Sequence, residues 1–314
     1  MKVGLYSISC SGTWFNDRPA LTVEEFIDTA KKFGYDGVEI DLKRPHGSPL
    51  DLDEKRCEEI RRYAEKQGVE ICACAANNNF ASVVPEHIEN ELLMVREQIR
   101  VTKQLGAKVL RVFACWRGVV MHNGIATYEI PSQYHTYYGA LDHELRESVV
   151  RCLKECAVWA EEAGVVLALQ NHHPIIEEYT DMLDFVKWVD SPWVKCCLDA
   201  PCCGWTKERQ TDEYMACAVH DTGDLQMLTH ANAEFVEHED GSIEMISFDP
   251  HLQPVLTNYP AFVRALKEVG YDGYINYEFC HMPFRGGKVR GYNDYIEDQI
   301  RIAQKYFRGL IENA

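Results

Sequence analysis

The chain has 314 residues, with 49 acidic against 32 basic side chains and a formal net charge of −17. Because this charge repels phosphate backbones, we expect no nucleic-acid partner. No apolar run approaches the ~20 residues that a membrane helix needs, and residues 1–9 lack the charged region of an export signal, so we expect a cytoplasmic protein with no membrane partner.

One local pattern recurs along the chain: a polar, helix-compatible stretch, a glycine, and a short aliphatic run. It occurs at Gly34, Gly68, Gly106, Gly164 and Gly270. Glycine ends a helix without the steric penalty of a Cβ atom, so each copy indicates a helix followed by a turn and a strand. Eight such units close into a (β/α)8 TIM barrel, an α/β fold whose chemistry lies at the carboxyl ends of its strands. We therefore predict a single barrel domain over residues 1–314.

The predicted elements follow this pattern in chain order. The first helix has Thr22 as its N-cap and Glu25 three residues later, a capping-box arrangement. The predicted strands are residues 3–9, 38–41, 69–75, 108–114, 165–170, 194–199, 225–230 and 273–278. The predicted helices are residues 21–33, 51–67, 85–105, 141–163, 182–189, 259–269 and 292–310. Two segments, 116–138 and 237–254, exceed a minimal barrel and are predicted as loop insertions, the second with a turn at Asp240 and Gly241.

The 13 cysteines do not indicate a disulfide framework. Their number is odd, and the adjacent pairs Cys196 with Cys197 and Cys202 with Cys203 lack the spacing of a tetrahedral zinc site. We expect most of them to be reduced and to act as small core hydrophobes.

Polar side chains stand at the ends of four consecutive predicted strands: Gln170, Asp199, His230 and Glu278. In a closed barrel the ends of neighbouring strands converge, and two carboxylates, an imidazole and an amide oxygen suit a divalent ion. The favoured ion is Mn²⁺, with Mg²⁺, Co²⁺ or Zn²⁺ as alternatives. Each residue taken singly is more often an ordinary polar strand terminus.

Short motifs on five strands give the chain a family resemblance. GYDGVEI, LALQNH, CCLDAP, LTHAN and NYEF are similar to motifs of the xylose isomerase-like barrel superfamily, which includes sugar isomerases, epimerases of the tagatose 3-epimerase type and endonuclease IV. In the epimerases, the resemblance implies a metal held by glutamate, aspartate, histidine and glutamate on strands five to eight. These positions correspond here to Gln170, Asp199, His230 and Glu278, so the first ligand departs from the pattern.

The departure at Gln170 affects the expected chemistry. The resemblance implies that the two glutamates of the epimerases also transfer protons, and glutamine cannot accept one. Glu278 retains that implied catalytic role, and His172, two residues after Gln170, is the natural replacement base because imidazole titrates near neutrality. The alternative is that His172 only hydrogen-bonds the loop before Pro174. A histidine beside a metal also resembles the catalytic subunits of C-glycoside deglycosidases, as does the segment Lys43 to Gly47.

The predicted barrel rim supplies candidate substrate contacts. Sugar sites combine cationic and amide donors with aromatic faces, although each such residue taken singly is as typical of a solvated surface or a turn. Arg285 is a candidate anchor for an anionic substrate group. The candidates are Lys43, Arg44, His46, Asn77, Arg111, Trp116 and Arg285.

These observations favour a metal-dependent enzyme that removes a proton next to a sugar carbonyl, of the isomerase or epimerase type. The alternative is a lyase that cleaves a C- or O-linked 3-oxo-glycoside by β-elimination with a histidine base. A metal-free binding protein on the same scaffold is the third hypothesis. The expected ligand is a small sugar or glycoside, and the expected assembly is a homo-oligomer or a complex with a small second subunit.

Overall fold

Eight parallel strands close into a barrel in a computed structural model that describes residues 1–122, 125–128 and 142–314. Each strand pairs with the next one along the chain, and β8 pairs with β1, as Lys2 beside Tyr274 illustrates. The strands are β1 (Lys2–Tyr6), β2 (Gly37–Asp41), β3 (Glu70–Ala75), β4 (Val109–Val112), β5 (Val166–Gln170), β6 (Val194–Asp199), β7 (Gln226–Ala231) and β8 (Tyr274–Tyr277). The predicted (β/α)8 barrel is confirmed.

Helices follow the strands and pack outside the barrel. They are α1 (Val23–Phe33), α2 (Glu54–Gln67), α3 (Pro85–Gln104), α4 (Asp142–Ala163), α5 (Tyr179–Val189), α6 (Asp212–Thr222), α7 (Tyr259–Glu268) and α8 (Glu297–Asn313). The capping box of α1 is confirmed: the Thr22 hydroxyl accepts from the Glu25 N–H, and the Glu25 carboxylate accepts from the Thr22 N–H. The helix ends at Gly34, whose φ of 78° is the left-handed conformation that glycine adopts without strain.

Several predicted boundaries differ from the structure. β1 ends at Tyr6, because Ser7–Cys10 forms a 3₁₀ turn, and β7 runs one residue past His230 to Ala231. β8 ends at Tyr277, so Glu278 follows the strand directly. The predicted last helix starts with a π-helical turn, Tyr292–Ile296, ahead of α8.

The sequence prediction omitted α6, although its signal is present. Thr211 caps the helix by accepting from the Tyr214 N–H, and the buried residues Met215, Ala218, Val219 and Thr222 have helical spacing. The helix is short, and its buried residues include a threonine, so the apolar stripe is weak.

The two predicted insertions have different outcomes. Residues 237–254 contain Ile243–Ile246, which pairs antiparallel with Glu234–Glu237, and the chain turns at Asp240 and Gly241 as expected. This segment is therefore partly a hairpin. In the other insertion, Val120–His122 pairs with Ile125–Thr127. The rest of that prediction, at residues 123–124 and 129–138, and the predicted helix start at residue 141 lie outside the described residues.

The apolar core has two layers. The main cluster lies between the barrel and its helices, and a smaller one fills the barrel interior with Ala73, Val109, Ala168, Cys197, Leu228 and Tyr274. All 13 cysteines are unpaired thiols and nine are buried, which confirms their role as core residues. Within the described ranges, no helix combines the length and apolar character needed to cross a membrane.

Candidate metal centre and cavity

Three potential ligands converge at the carboxyl ends of the last three strands. Asp199 ends β6, His230 lies next to it in register on β7, and Glu278 follows β8. One ligand atom from each lies within 4.8 Å of the others, and all three residues are buried. The closed barrel therefore brings three of the four predicted ligands into one cluster.

Gln170 joins this cluster through Asp199. Its amide Nε2 donates to Asp199 Oδ2 at 2.7 Å, and the Cys202 thiol donates to the same oxygen at 3.2 Å. Both donors use Oδ2, which leaves Asp199 Oδ1 buried without a hydrogen-bond partner among the described residues. Gln170 Oε1 is also buried and has no such partner there. Two oxygen acceptors are thus left for another group.

His230 presents a third acceptor when its ring is neutral. Its Nε2 lies 2.8 Å from Glu39 Oε2, and because a carboxylate accepts, Nε2 carries the proton of the neutral ring. The lone pair is therefore on Nδ1, which is buried, has no hydrogen-bond partner among the described residues and lies 3.8 Å from Glu278 Oε1.

These orphaned acceptors fit a divalent cation. A buried acceptor without a partner costs about 1 to 3 kcal/mol, and three of them near an acidic carboxylate would be satisfied together by one cation. Carboxylate, imidazole and amide oxygen are also ligands that Mn²⁺ and Zn²⁺ accept. Gln170, Asp199, His230 and Glu278 are the residues that would hold the ion.

The electrostatics of the cluster favour the same conclusion. Burial lowers the pKa of His230, but the carboxylates of Glu39 and Glu278 outweigh it and raise that pKa to about 10. Burial and the charge of Glu278 raise the pKa of Asp199, whereas His230 outweighs burial at Glu278 and lowers its pKa. The cluster therefore attracts positive charge, and a metal ion would replace the second proton on His230.

An open cavity adjoins the cluster, with a total of about 410 Å³ of space that includes the solvent at its mouth. Seven of the predicted site residues line it, so the candidate base and four of the predicted substrate contacts lie beside the candidate metal ligands. They are Lys43, Asn77, Arg111, Trp116, Gln170, His172 and Glu278.

His172 is held in a defined orientation at this cavity. Its Nδ1 lies 2.7 Å from the carbonyl oxygen of His173, so Nδ1 donates its proton and Nε2 keeps the lone pair. The ring packs edge-on against Phe113 and Trp116 at centroid distances of 5.0 and 5.1 Å. Burial lowers its pKa to about 4, so the ring is neutral at pH 7. Nε2 is therefore unprotonated while Nδ1 makes the loop hydrogen bond, but the lowered pKa makes the ring a weaker base than the near-neutral imidazole expected from the sequence.

The polar donors of the cavity already have partners within the fold. Arg111 donates to Ala76 O at 2.6 Å and to the Tyr6 hydroxyl at 2.8 Å, and its guanidinium lies 4.0 Å above the Phe113 ring. Lys43 Nζ lies 3.3 Å from Asp41 Oδ2, and Asn77 donates to the other oxygen of Asp41 at 2.6 Å. These contacts fix the donors before any ligand enters.

Three predicted substrate contacts, His46, Arg44 and Arg285, lie away from the cavity lining. His46 is buried, with Nε2 3.0 Å from Leu21 O and its ring stacked on Phe26. Arg44 is exposed and forms a two-pronged ion pair with Asp51 at 2.7 and 2.8 Å.

Arg285 is the third of these residues. It binds the buried carboxylate of Glu234 and the carbonyl of Ser247. Each of the three side chains is therefore committed to a partner in the fold.

Sequence reasoning missed two acidic residues of the site. Glu39 and Asp41 lie on β2 and are buried, although charged residues rarely are. They stand two positions apart, so they share the face of β2 that looks into the barrel. Two carboxylates on one face of an otherwise apolar strand are the signal that would have found them.

Comparisons with known proteins agree with this architecture. A sequence model of the xylose isomerase-like TIM barrel family matches residues 27–308. No curated protein sequence matches the chain.

Solved structures share the fold along their full length. D-allulose 3-epimerase from Methylomonas sp. is 17% identical, with a TM-score of 0.67 over 99% of this chain and 98% of its own. The 3-keto-D-glucoside 4-epimerase YcjR from E. coli is 19% identical, with a TM-score of 0.66 over 99% and 98% of the two chains. The IolI protein with a bound zinc atom is 17% identical, with a TM-score of 0.68 over 100% and 99%.

Proposed function

Because the chain belongs to the xylose isomerase-like TIM barrel family, we propose that it is a metal-dependent enzyme that removes the proton next to a sugar carbonyl, as a sugar isomerase or epimerase. The observation that carries this proposal is the buried cluster of Asp199, His230 and Glu278 at a cavity that also contains His172. Mn²⁺ is the proposed ion, with Mg²⁺, Co²⁺ or Zn²⁺ as alternatives. The epimerases among the similar structures support the choice of a sugar as substrate.

The residues have distinct proposed roles. A divalent ion in the cluster would stabilise the negative charge that develops on a sugar oxygen when the α-proton leaves. His172 offers Nε2 as the base, because Nδ1 is occupied by the His173 carbonyl. Glu278 lines the same cavity and is the second proton-transfer group. Lys43, Asn77 and Arg111 provide donors for sugar hydroxyls, and Trp116 provides an aromatic face.

A second function is favoured by one residue, Gln170. It occupies the first ligand position with an amide that donates to Asp199 and cannot accept a proton, which leaves His172 as the base on that side of the cavity. A single base is sufficient for β-elimination. In that reaction, loss of the proton α to the 3-oxo group expels the substituent at the β-carbon, which leaves with the electron pair of its bond and is then protonated. The alternative proposal is therefore a 3-oxo-glycoside lyase.

Deuterium exchange distinguishes the two functions. Mn²⁺-loaded protein is incubated in D₂O with a panel of ketoses and 3-oxo-glycosides, while deuterium uptake is followed by mass spectrometry and aglycone release by chromatography. Uptake without release supports an isomerase or epimerase, and release supports the lyase. Binding of panel sugars with neither deuterium uptake nor aglycone release would contradict both enzyme functions and favour a binding protein that does not need the metal.

A further inference from the structure

A buried carboxylate lies directly behind the metal-facing imidazole, on a strand from the opposite end of the chain. Glu39 of β2 is completely buried, and its Oε2 accepts from His230 Nε2 at 2.8 Å and from Asn276 Nδ2 at 2.6 Å. Its other oxygen lies 3.9 Å from Arg111 Nε and has no hydrogen-bond partner among the described residues. Glu39 therefore connects β2, β7 and β8 inside the barrel.

We propose that Glu39 is a positioning residue of the metal centre, which fixes the His230 ring with Nδ1 toward the ligands and strengthens it as a donor to the ion. This inference rests on the metal centre of the proposed function. An imidazole can place a metal on either nitrogen, and the hydrogen bond at the other nitrogen decides which one is used. Here the Glu39 carboxylate accepts that bond, and such an acceptor also increases the electron density that the ring gives to a metal.

The geometry argues against a purely structural role. Burial of a carboxylate is costly, and an isolated buried ion pair often stabilises a fold no better than apolar residues of equal volume. Glu39 reaches its cationic neighbour Arg111 only at 3.9 Å, without a hydrogen bond, whereas its shortest contacts are with His230 and Asn276. Glu39 therefore makes a hydrogen bond to the proposed ligand His230 and none to Arg111.

The same fold contains a matched control. Glu234 is also completely buried, and its Oε1 lies 2.8 Å from Nε2 of His281, the same distance as in the Glu39 pair. His281 is not part of the metal cluster. Replacement of either glutamate removes one buried charge beside one histidine. Glu234 also binds Arg285 and Tyr295, so its loss should perturb the fold at least as much, but only Glu39 touches a proposed ligand.

The experiment compares Co²⁺ binding by the wild-type chain, Glu39→Gln and Glu234→Gln, with affinity measured by titration and the ligand field by visible absorption. Glutamine keeps an acceptor for His230 Nε2 but removes the charge. We expect Glu39→Gln to weaken Co²⁺ binding roughly 10- to 100-fold and to shift the visible bands, as for other residues that orient metal ligands. Glu234→Gln should change neither, even if it lowers thermal stability.

A second measurement needs no variant and therefore does not depend on the folding of Glu39→Gln. Long-range ¹H–¹⁵N spectra of the wild-type chain loaded with Zn²⁺ should show His230 protonated on Nε2 and bound through Nδ1. The opposite tautomer would overturn the inference, as would a Glu39→Gln variant that binds Co²⁺ with wild-type affinity and spectrum, or equal losses in both variants. If the wild-type chain binds no Co²⁺ or Zn²⁺, the metal centre of the proposed function fails instead.

Discussion

At Asp199, neighbouring side chains occupy one carboxylate oxygen and leave the other available as a metal ligand. Gln170 and Cys202 both donate to its Oδ2, so Oδ1 is the oxygen left for an ion. Glu39 does the equivalent for His230, because it occupies Nε2 and leaves Nδ1. Such fixed hydrogen bonds would orient the ligands for an ion in advance and reduce the entropy lost on its binding.

If His172 is the catalytic base, its replacement should affect turnover but not metal binding. His172→Ala should retain wild-type Mn²⁺ content but lose about 100-fold or more in turnover, since general bases typically contribute 10² to 10⁴. Its control is His173→Ala, which keeps the backbone carbonyl that orients His172 and should leave turnover nearly unchanged. Metal analysis and steady-state kinetics measure both variants. Wild-type turnover in His172→Ala would show that another group is the base.

Some residues of the candidate site could be predicted from the sequence, and others could not. Gln170, Asp199, His230 and Glu278 stand at or directly beyond strand ends, where barrel geometry makes them converge, and the structure brings them together. Glu39 sits in the middle of a strand, and nothing in the local pattern says which residue on a distant strand it meets. His46 and Arg285 follow barrel strands, but their partners, Leu21 and Glu234, lie in segments after other barrel strands, and the sequence pattern cannot place these segments relative to each other.

Elements were predicted where a strong local signal marked them. The α1 capping box and the glycine ends of helices depend on neighbouring residues, so they were readable. By contrast, α6 has only a weak apolar stripe, and the pairing of Ile243–Ile246 with Glu234–Glu237 depends on the approach of one side of a loop to the other. The end of β8 before Glu278 is likewise set by pairing with its neighbours.

Helix α3 contains a residue that should make stability depend on pH. Burial raises the pKa of Glu91 from 4.5 to about 7, and the N–H of Asn79 offsets this only in part. The folded chain therefore binds this proton more tightly than the unfolded chain, and stability falls as pH rises from about 4.5 to 7. Glu91→Gln removes this loss, so it should stabilise the protein at pH 8 by roughly 1 to 3 kcal/mol and have little effect at pH 4.5.

Urea unfolding of Glu91→Gln and the wild type at the two pH values measures this difference. Glu89→Gln, on the same helix but exposed, serves as the control and should show no pH-dependent gain. A gain of equal size at both pH values would contradict a titrating Glu91 as its cause.

At the scale of the whole molecule, barrel closure makes one site from distant segments. β2 and β8 are separated by most of the chain, yet Asn276 of β8 donates to Glu39 of β2. The glycine pattern marks five helix ends, and together with the remaining aliphatic runs it was sufficient to predict eight strands, because the barrel is the closed arrangement of eight βα units. It was insufficient for the interior contacts, which depend on the register between strands.

Anomalous diffraction from crystals soaked in Mn²⁺ tests the central claim, that one divalent ion is held by side chains from four neighbouring strands. We expect a single strong peak per chain within bonding distance of Asp199 Oδ1, His230 Nδ1 and Glu278, with Gln170 Oε1 facing it. The peak should disappear in Asp199→Ala crystals soaked in the same way. A wild-type map with no peak among these atoms, or an unchanged peak in the variant, would show that these residues do not hold the ion.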